Sequence, residues 1–478
     1  MGASGAGKTS LLNILADRIY VKGNIKLSGN ILFNDVVPVN KDMFSRYGGY
    51  VQQDDVLFSH FTVREALQFT ARLKLKVSEE EQDRLVEKII HDLGLTIQAN
   101  SQIGDVRRKI LSGGERKRAS IGVELVSDPS IILLDEPTSG LDSFKAQSIC
   151  ALLNNLARTK GKTILATIHS PSSEAFFYFD KLILMMDGFI VYQGDAKQSV
   201  QHFKMIGRPV PRFANPADFF MKVLSCRYPK TPEDEKNIEE LTRNYRTLLQ
   251  SSVNAEQKLI KLAPPPGWDD GQFDRMAGIM IQLRWLFHRS WILAKREPRL
   301  SRAKILQTVV VALFMCSVFV HLGRPDNLSG SGAAGYSKVQ SLAGAIYFTT
   351  VLQMFLNFLP TVIVFQGEKP IYVRERDSGL YHVWVYATTK LMAEMPIMLF
   401  VPLLLNALLY WTVGYDDRIS RFAMMYLVLL MMVQAAAALG YFLSSVFNHE
   451  TTAVAFSPII NLPLNLLGGY MISLKGIF

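Results

Sequence analysis

The chain has 478 residues, 49% hydrophobic and 20% charged, with a formal net charge of +10. That length exceeds one ordinary domain, and the hydrophobic share is high for a soluble protein so rich in charge, so a polar part and a greasy part are expected. Cys150, Cys226 and Cys316 have no metal-ligand spacing and are too few for a disulfide framework, and the opening residues do not read as a cleavable signal peptide. The basic excess fits either nucleic acid binding or the flanks of membrane segments.

Gly2-Ala3-Ser4-Gly5-Ala6-Gly7-Lys8-Thr9 fits G-x-x-x-x-G-K-[ST], the phosphate-binding P-loop. Such a loop needs a helix behind it, and Lys8 to Arg18 supplies one, with Leu11, Leu12, Ile14 and Leu15 as the apolar face. Successive backbone N–H groups and the helix N-terminus point at phosphates, Lys8 is expected to reach the β- and γ-phosphates of a nucleoside triphosphate, and the Thr9 hydroxyl to bind Mg²⁺. The expected nucleotide contacts are Gly2, Ser4, Gly5, Gly7, Lys8, Thr9 and Ser10.

Up to about Leu224 the pattern is α/β. Asn24 to Phe33 and Thr163 to Ile168 read as strands, and Ile131 to Leu134 as a buried parallel strand. Ser78-Glu79-Glu80-Glu81 is a capping box opening a helix to about Leu93. The strand at Ile131 ends in Asp135-Glu136, a Walker B pattern whose acids lie at the carboxyl edge of the sheet, where ligands bind. Asp135 is expected to hold Mg²⁺ and Glu136 to act as general base on the attacking water.

Cys226 to Gln272 is polar and proline-punctuated, a linker with one helix near Lys236 to Gln250. Ile279 to Arg296 is basic, amphipathic and carries Trp285 and Trp291, as an interfacial helix does. Five apolar runs follow, at about 305–322, 341–365, 391–413, 422–447 and 452–474, each long enough to span a bilayer. Basic residues before the first run (Arg296, Arg299, Arg302, Lys304) and between the second and third (Lys369, Arg374, Arg376, Lys390) place those sides in the cytosol. The sequon at Asn327 then faces outside. Gln353, Phe355, Asn357 and Phe358 are candidates to line a cavity, against ordinary helix packing by the same residue types. Glu394, near a span end, is either functional or solvated at the interface.

Leu111-Ser112-Gly113-Gly114-Glu115-Arg116-Lys117-Arg118 resembles the signature motif of ABC ATPases. Gln53 resembles the Q-loop glutamine, Ser139-Gly140-Leu141-Asp142 the D-loop and His169 the switch histidine. The Glu115-Arg116-Lys117-Arg118 continuation, the ATPase-first order, Asn215-Pro216-Ala217-Asp218-Phe219 and Arg374-Glu375-Arg376-Asp377-Ser378-Gly379-Leu380-Tyr381 are similar to the White-type, or G, subfamily of half-transporters. The resemblance implies residues 1–225 as the nucleotide-binding domain, 226–276 as linker and 277–478 as an all-α polytopic membrane domain. It also implies catalytic roles for Glu136, His169 and Gln53, metal contacts from Thr9, Gln53 and Asp135, and further ATP contacts from Ser112, Gly113, Gly114 and Asp142. The cofactors are ATP and Mg²⁺. The partners are a second half-transporter, as homo- or heterodimer, membrane lipid and a small hydrophobic or amphipathic substrate to be exported; no nucleic acid is expected. The Arg374–Tyr381 segment is expected to be the cytosolic coupling loop.

Two features depart from that family. No strand or adenine-stacking aromatic residue precedes the P-loop, and the chain stops at Phe478 where the family has an outer loop and a sixth span. The expectation is an ATPase domain incomplete at its N-terminus, in a chain that by itself folds poorly and does not transport. An inactive truncated fragment or a non-catalytic subunit is the alternative. A soluble-type ABC ATPase acting on nucleic acid is less favoured, because the apolar spans oppose it.

Overall fold

The computed structural model describes residues 1–19, 26–34, 37–104, 110–226, 229–251, 253, 276–323, 333–466, 468 and 470. They form two compact units, Met1–Gln282 with Glu375–Tyr381, and Leu283–Arg374 with His382–Phe478.

In the first unit, helix α1 (Lys8–Leu15) follows the P-loop, a short antiparallel pair β1 (Leu32–Phe33) and β2 (Val37–Pro38) comes next, and α2 (Lys41–Tyr47) leads into β3 (Gly48–Val51). The strand expected over Asn24–Phe33 is reduced to β1, with residues 24 and 25 outside the described residues. Strands β3, β4 (Ile131–Leu134) and β5 (Thr163–Ala166) make a parallel three-stranded sheet with Val51 beside Leu134 and Leu134 beside Ala166. This register matters for chemistry, because the residues after all three strands emerge on one edge. Buried Leu12, Ala16, Phe44, Tyr50 and Leu133 join α1 to the sheet.

Helices α3 (Val63–Lys74) and α4 (Glu79–Asp92) both start with a complete capping box, Thr62 with Glu65 and Ser78 with Glu81. Helix α5 (Gly113–Leu125) packs beside them so tightly that a Cβ on Gly122 would lie 2.8 Å from Leu93 Cδ1. Then come α6 (Ser143–Lys160), α7 (Ser173–Phe176), the antiparallel pair β6 (Lys181–Met186) and β7 (Phe189–Asp195), α8 (Ser199–Met205), α9 (Pro216–Leu224) and α10 (Pro232–Leu248). A large apolar cluster, with Phe176, Tyr192, Phe203 and Phe220 at its centre, holds this C-terminal part together. Most of the rest of the linker, 254–275, lies outside the described residues.

Helix α11 (Ile279–Arg296) is the expected amphipathic segment. Among the described residues four helices are long and apolar enough to cross a membrane: α12 (Arg299–Phe319), the Val339–Asp377 part of α13 (Ala333–Asp377), α14 (Val383–Val413) and α15 (Ile419–Val446), with mean hydropathy from 1.6 to 2.1. The fifth expected span begins as α16 (Glu450–Leu466), 17 residues with Pro458 and Pro463 inside, and its continuation to 474 falls outside the described residues apart from 468 and 470. The sequon at Asn327 also lies outside them.

One expectation for the second half is corrected, and one open alternative is narrowed. The charged segment from Arg374 is not a loop at its start, since α13 runs unbroken through Pro360 and Pro370 to Asp377. It stops because Gly379 takes φ 66°, with Gly379 N–H donating to the Arg376 carbonyl and Leu380 N–H to the Glu375 carbonyl, a Schellman ending. Gln353, Asn357 and Phe358 are helix-packing residues. Asn357 donates to the Gln353 carbonyl at 2.9 Å and side-chain oxygen at 3.1 Å, and Phe358 is fully buried with Met354, Val362 and Leu443. Phe355 is exposed. Glu394 is ion-paired with Lys390 at 2.9 Å and accepts a hydrogen bond from Tyr441.

Candidate active site

The P-loop is pinned from two sides. Met185 N–H of β6 donates to the Met1 carbonyl at 2.9 Å, Gly2 forms a parallel bridge with Met185, and Gly188 N–H donates to the Ala6 carbonyl at 3.1 Å. Gly5 and Gly7 take φ 80° and 90°, a left-handed backbone that a side chain would strain. Gly7 is the N-cap of α1, so the loop ends at the N-terminus of that helix. Lys8 is 7% exposed and its Nζ donates to the Gly2 and Ala3 carbonyls at 2.9 and 3.0 Å. Burial lowers its pKa, and the charges of Glu136 and Asp135 oppose that shift. The Lys8–Glu136 separation is 3.9 Å.

The sheet edge supplies the rest. Asp135, 4% exposed, accepts on one carboxylate oxygen from Thr9 Oγ1 at 3.1 Å and from Thr167 Oγ1 at 2.6 Å. The Thr167 hydroxyl in turn accepts from Glu136 N–H at 2.8 Å. Glu136 has φ 42°, unusual for a residue with a side chain, and Gln53 Nε2 donates to its carboxylate at 3.0 Å. Lys8, Thr9, Gln53, Asp135 and Glu136 are thus one connected cluster. Behind it, Tyr50 donates to Asn13 Oδ1 at 2.9 Å, tying β3 to α1, and burial pushes the Tyr50 phenol up to about 12.

Ser112, Gly113 and Gly114 begin α5. Ser112 is its N-cap, in a capping box with Glu115, and Glu115 also accepts from Gln98 at 2.8 Å. A Cβ on Gly113 would lie 3.1 Å from Leu141, so the signature start rests on the D-loop of the same chain. Asp142 caps α6, accepting from Lys145 N–H at 2.9 Å and pairing with its ammonium at 2.8 Å; the Lys145 hydrogen bond holds the Asp142 carboxyl below its usual range. His169 is exposed three residues beyond β5, and Ser4 and Ser10 are exposed on the P-loop and α1. Among the described residues no hydrogen bond or ion pair joins His169, Ser112 or Asp142 directly to the Lys8–Glu136 cluster.

Sequence reasoning missed Thr167, whose only signal is its place two residues before His169. It also missed the second task of Asn215, which caps α9 and donates to the Pro171 carbonyl at 2.9 Å, two residues past His169. No group of three or more His, Cys, Asp or Glu that could cage a metal occurs among the described residues. The Thr9 hydroxyl and Asp135 carboxylate, hard oxygen donors sharing a hydrogen bond, fit Mg²⁺ held mainly by water and phosphate.

Residues 1–139 match the family described as ABC transporter, and residues 281–477 and 169–261 match two families described as ABC-2 type transporter. Protein white of Ceratitis capitata is 34% identical over 479 residues, covering 99% of this chain and 69% of that protein. The chain belongs to the White, or G, family of ABC transporters. Protein white of Drosophila melanogaster is likewise 34% identical over 478 residues, 99% of this chain and 68% of that protein. The broad substrate specificity transporter ABCG2 of Mus musculus is 32% identical over 506 residues, 100% of this chain and 74% of that protein. As a G-family transporter it is an ATP-hydrolysing, multi-pass membrane protein with a cytosolic ATPase domain. The soluble, nucleic-acid-directed alternative does not fit the four membrane-length helices among the described residues.

Proposed function

We propose that the protein acts as a dimerising half-transporter that exports a hydrophobic or amphipathic compound, each ATP being held between one copy's P-loop and the other's signature segment. The observation that carries the hydrolytic half is the hydrogen-bonded run Thr9–Asp135–Thr167–Glu136–Gln53 at one sheet edge. In this reading the P-loop N–H groups and Lys8 hold the β- and γ-phosphates, and Thr9, Asp135 and Gln53 hold Mg²⁺. Bound Mg²⁺ neutralises charge on the phosphates. Glu136 takes the proton of the attacking water, Gln53 fixes its carboxylate, and His169 comes to the γ-phosphate from its exposed position. Ser112, Gly113, Gly114 and Asp142 serve the nucleotide of the second copy, which explains why they stand apart from the Lys8 cluster.

For the substrate, the membrane unit has a cavity of about 640 Å³ lined by Tyr347, Thr350, Met354, Met432, Leu439 and Asn465 among others. That size and apolar character suit a small amphipathic molecule. Residues Glu375–Tyr381 pack within the ATPase unit, with Lys41 to Asp377 at 3.3 Å, and in this reading they relay its closure.

The test is Glu136→Gln in the full chain. ATP binding is retained and hydrolysis falls by roughly 10²-fold or more, the contribution of a general base. Hydrolysis at the original rate would remove Glu136 from this role.

A further inference from the structure

Lys117 lies in the fifth position of the signature helix α5, yet it is only 3% exposed, which a lysine tolerates when its charge is fully partnered. Its ammonium is turned away from solvent. It donates to the Gln53 carbonyl at 2.8 Å and the Gln52 carbonyl at 3.4 Å, and pairs with the Asp55 carboxylate at 2.8 Å. The neighbouring Arg116 donates to the Asp55 carbonyl at 3.2 Å. Two consecutive side chains of one helix therefore grip the backbone of Gln52, Gln53 and Asp55. Burial raises the Asp55 carboxyl while Lys117 opposes the rise, as expected of a pair taken out of water. The far end of the gripped segment is the Gln53 amide, which donates to Glu136 at 3.0 Å.

We infer that Lys117 is a positioning residue for hydrolysis: with Arg116 it locks the Q-loop backbone to the signature helix, so that the placement of α5 fixes Gln53 and, through it, the Glu136 carboxylate. The Lys117 ammonium is engaged with the Q-loop, through the Gln52 and Gln53 carbonyls and the Asp55 carboxylate. Its contribution passes through two hydrogen bonds, from Lys117 to the Gln53 carbonyl and from the Gln53 amide to Glu136. The P-loop contacts of Lys8 and Thr9 are not on that path, so affinity and turnover separate. The inference rests on hydrolysis at Glu136.

The experiment compares Lys117→Met, Lys117→Arg and Arg116→Ala with the unsubstituted full chain. Its readouts are ATP affinity, kcat and amide hydrogen exchange. Lys117→Met is expected to keep the Kd for ATP within about twofold and to lower kcat about 10²-fold, the cost of misplacing a reacting group by around 1 Å. Exchange is expected to quicken in the 52–56 segment while β4 and the later turns of α5 keep their protection. Lys117→Arg restores at least a tenth of the original kcat, since a guanidinium donates to the same carbonyls. Should Lys117→Met not yield folded protein, Arg116→Ala, a half-buried site with one bond to the Q-loop, is expected to lower kcat about tenfold at unchanged Kd. Unchanged kcat in Lys117→Met or, where that variant does not fold, in Arg116→Ala overturns the inference. So does a loss of kcat and affinity together with faster exchange throughout the β3–β5 sheet, which is loosening of the domain. A Glu136→Gln control that leaves hydrolysis unchanged would instead point to failure of the underlying catalytic assignment.

Discussion

Replacing Thr167 by valine keeps the shape of the side chain and deletes the one hydroxyl that joins Asp135 to the backbone of Glu136. Thr167 is 7% exposed, so water does not readily take the hydroxyl's place. The lost hydrogen bond to a charged acceptor is worth about 1.5–3 kcal/mol, and the Glu136 N–H left without its acceptor costs about 1–3 kcal/mol more. Against this, Glu136 no longer has to hold its left-handed backbone, which relieves roughly 1–2 kcal/mol. The net destabilisation is about 3 kcal/mol. At about 2–4 °C per kcal/mol for a domain of this class, the ATPase unit should melt about 6–12 °C lower. The catalytic effect is larger in proportion, because a relaxed Glu136 moves its carboxylate away from Gln53, and a displacement near 1 Å costs about 10²-fold in rate. Thermal melting, ATP binding and steady-state hydrolysis on Thr167→Val and Thr167→Ser check these together. Serine keeps the hydroxyl and should recover most of the rate. A valine variant that hydrolyses ATP at the original rate, or a serine variant as slow as valine, would refute the reasoning.

Asn215→Ala removes both the α9 cap, worth about 1 kcal/mol, and the bond to the Pro171 carbonyl. Turnover should fall more than ATP affinity, as the segment carrying His169 is freed; equal losses in both would contradict this. Tyr50 gives a pH prediction. Its pKa is about 12 folded, mainly through burial and then the Asp135 charge, against 10 in an open chain. The folded state therefore binds more protons between those values, and this contribution to stability, complete below pH 10, is lost as pH rises through 12. Subtracting the phenolate titration of folded Tyr50→Phe from that of the folded chain should isolate one phenol titrating at about 12, and the same difference taken in denaturant should titrate at the ordinary 10. Gly7→Ala places a Cβ at φ 90° and should weaken ATP binding through about 1–2 kcal/mol of backbone strain, seen as an approximately tenfold rise in Kd.

The P-loop, the Asp135-Glu136 strand end and the Ser78 capping box were legible because each is a local pattern, its geometry set within eight residues. Helix α4 was legible for the same reason. Thr167 and Lys117 were not, since their partners are supplied by the register of β3, β4 and β5 and by the packing of α5 on the Q-loop, which no spacing encodes. The end of α13 was misplaced because charge marks a solvated segment but does not break a helix; the stop comes from Gly379. Gln353 and Asn357 were read as cavity walls or as packing residues, and their burial and their hydrogen bond one turn apart on α13 favour packing.

The central claim is that each ATP is cleaved between the P-loop of one copy and the signature of another. Lys8→Ala and Ser112→Arg disable different halves of that composite site. Each should be inactive alone, and co-expressing the two should regain hydrolysis, because a mixed pair rebuilds one site with intact Lys8 and intact Ser112. If the mixture stays as inactive as either variant while Lys8→Ala and Ser112→Arg chains demonstrably associate, the two halves belong to one chain's own site and the account is wrong.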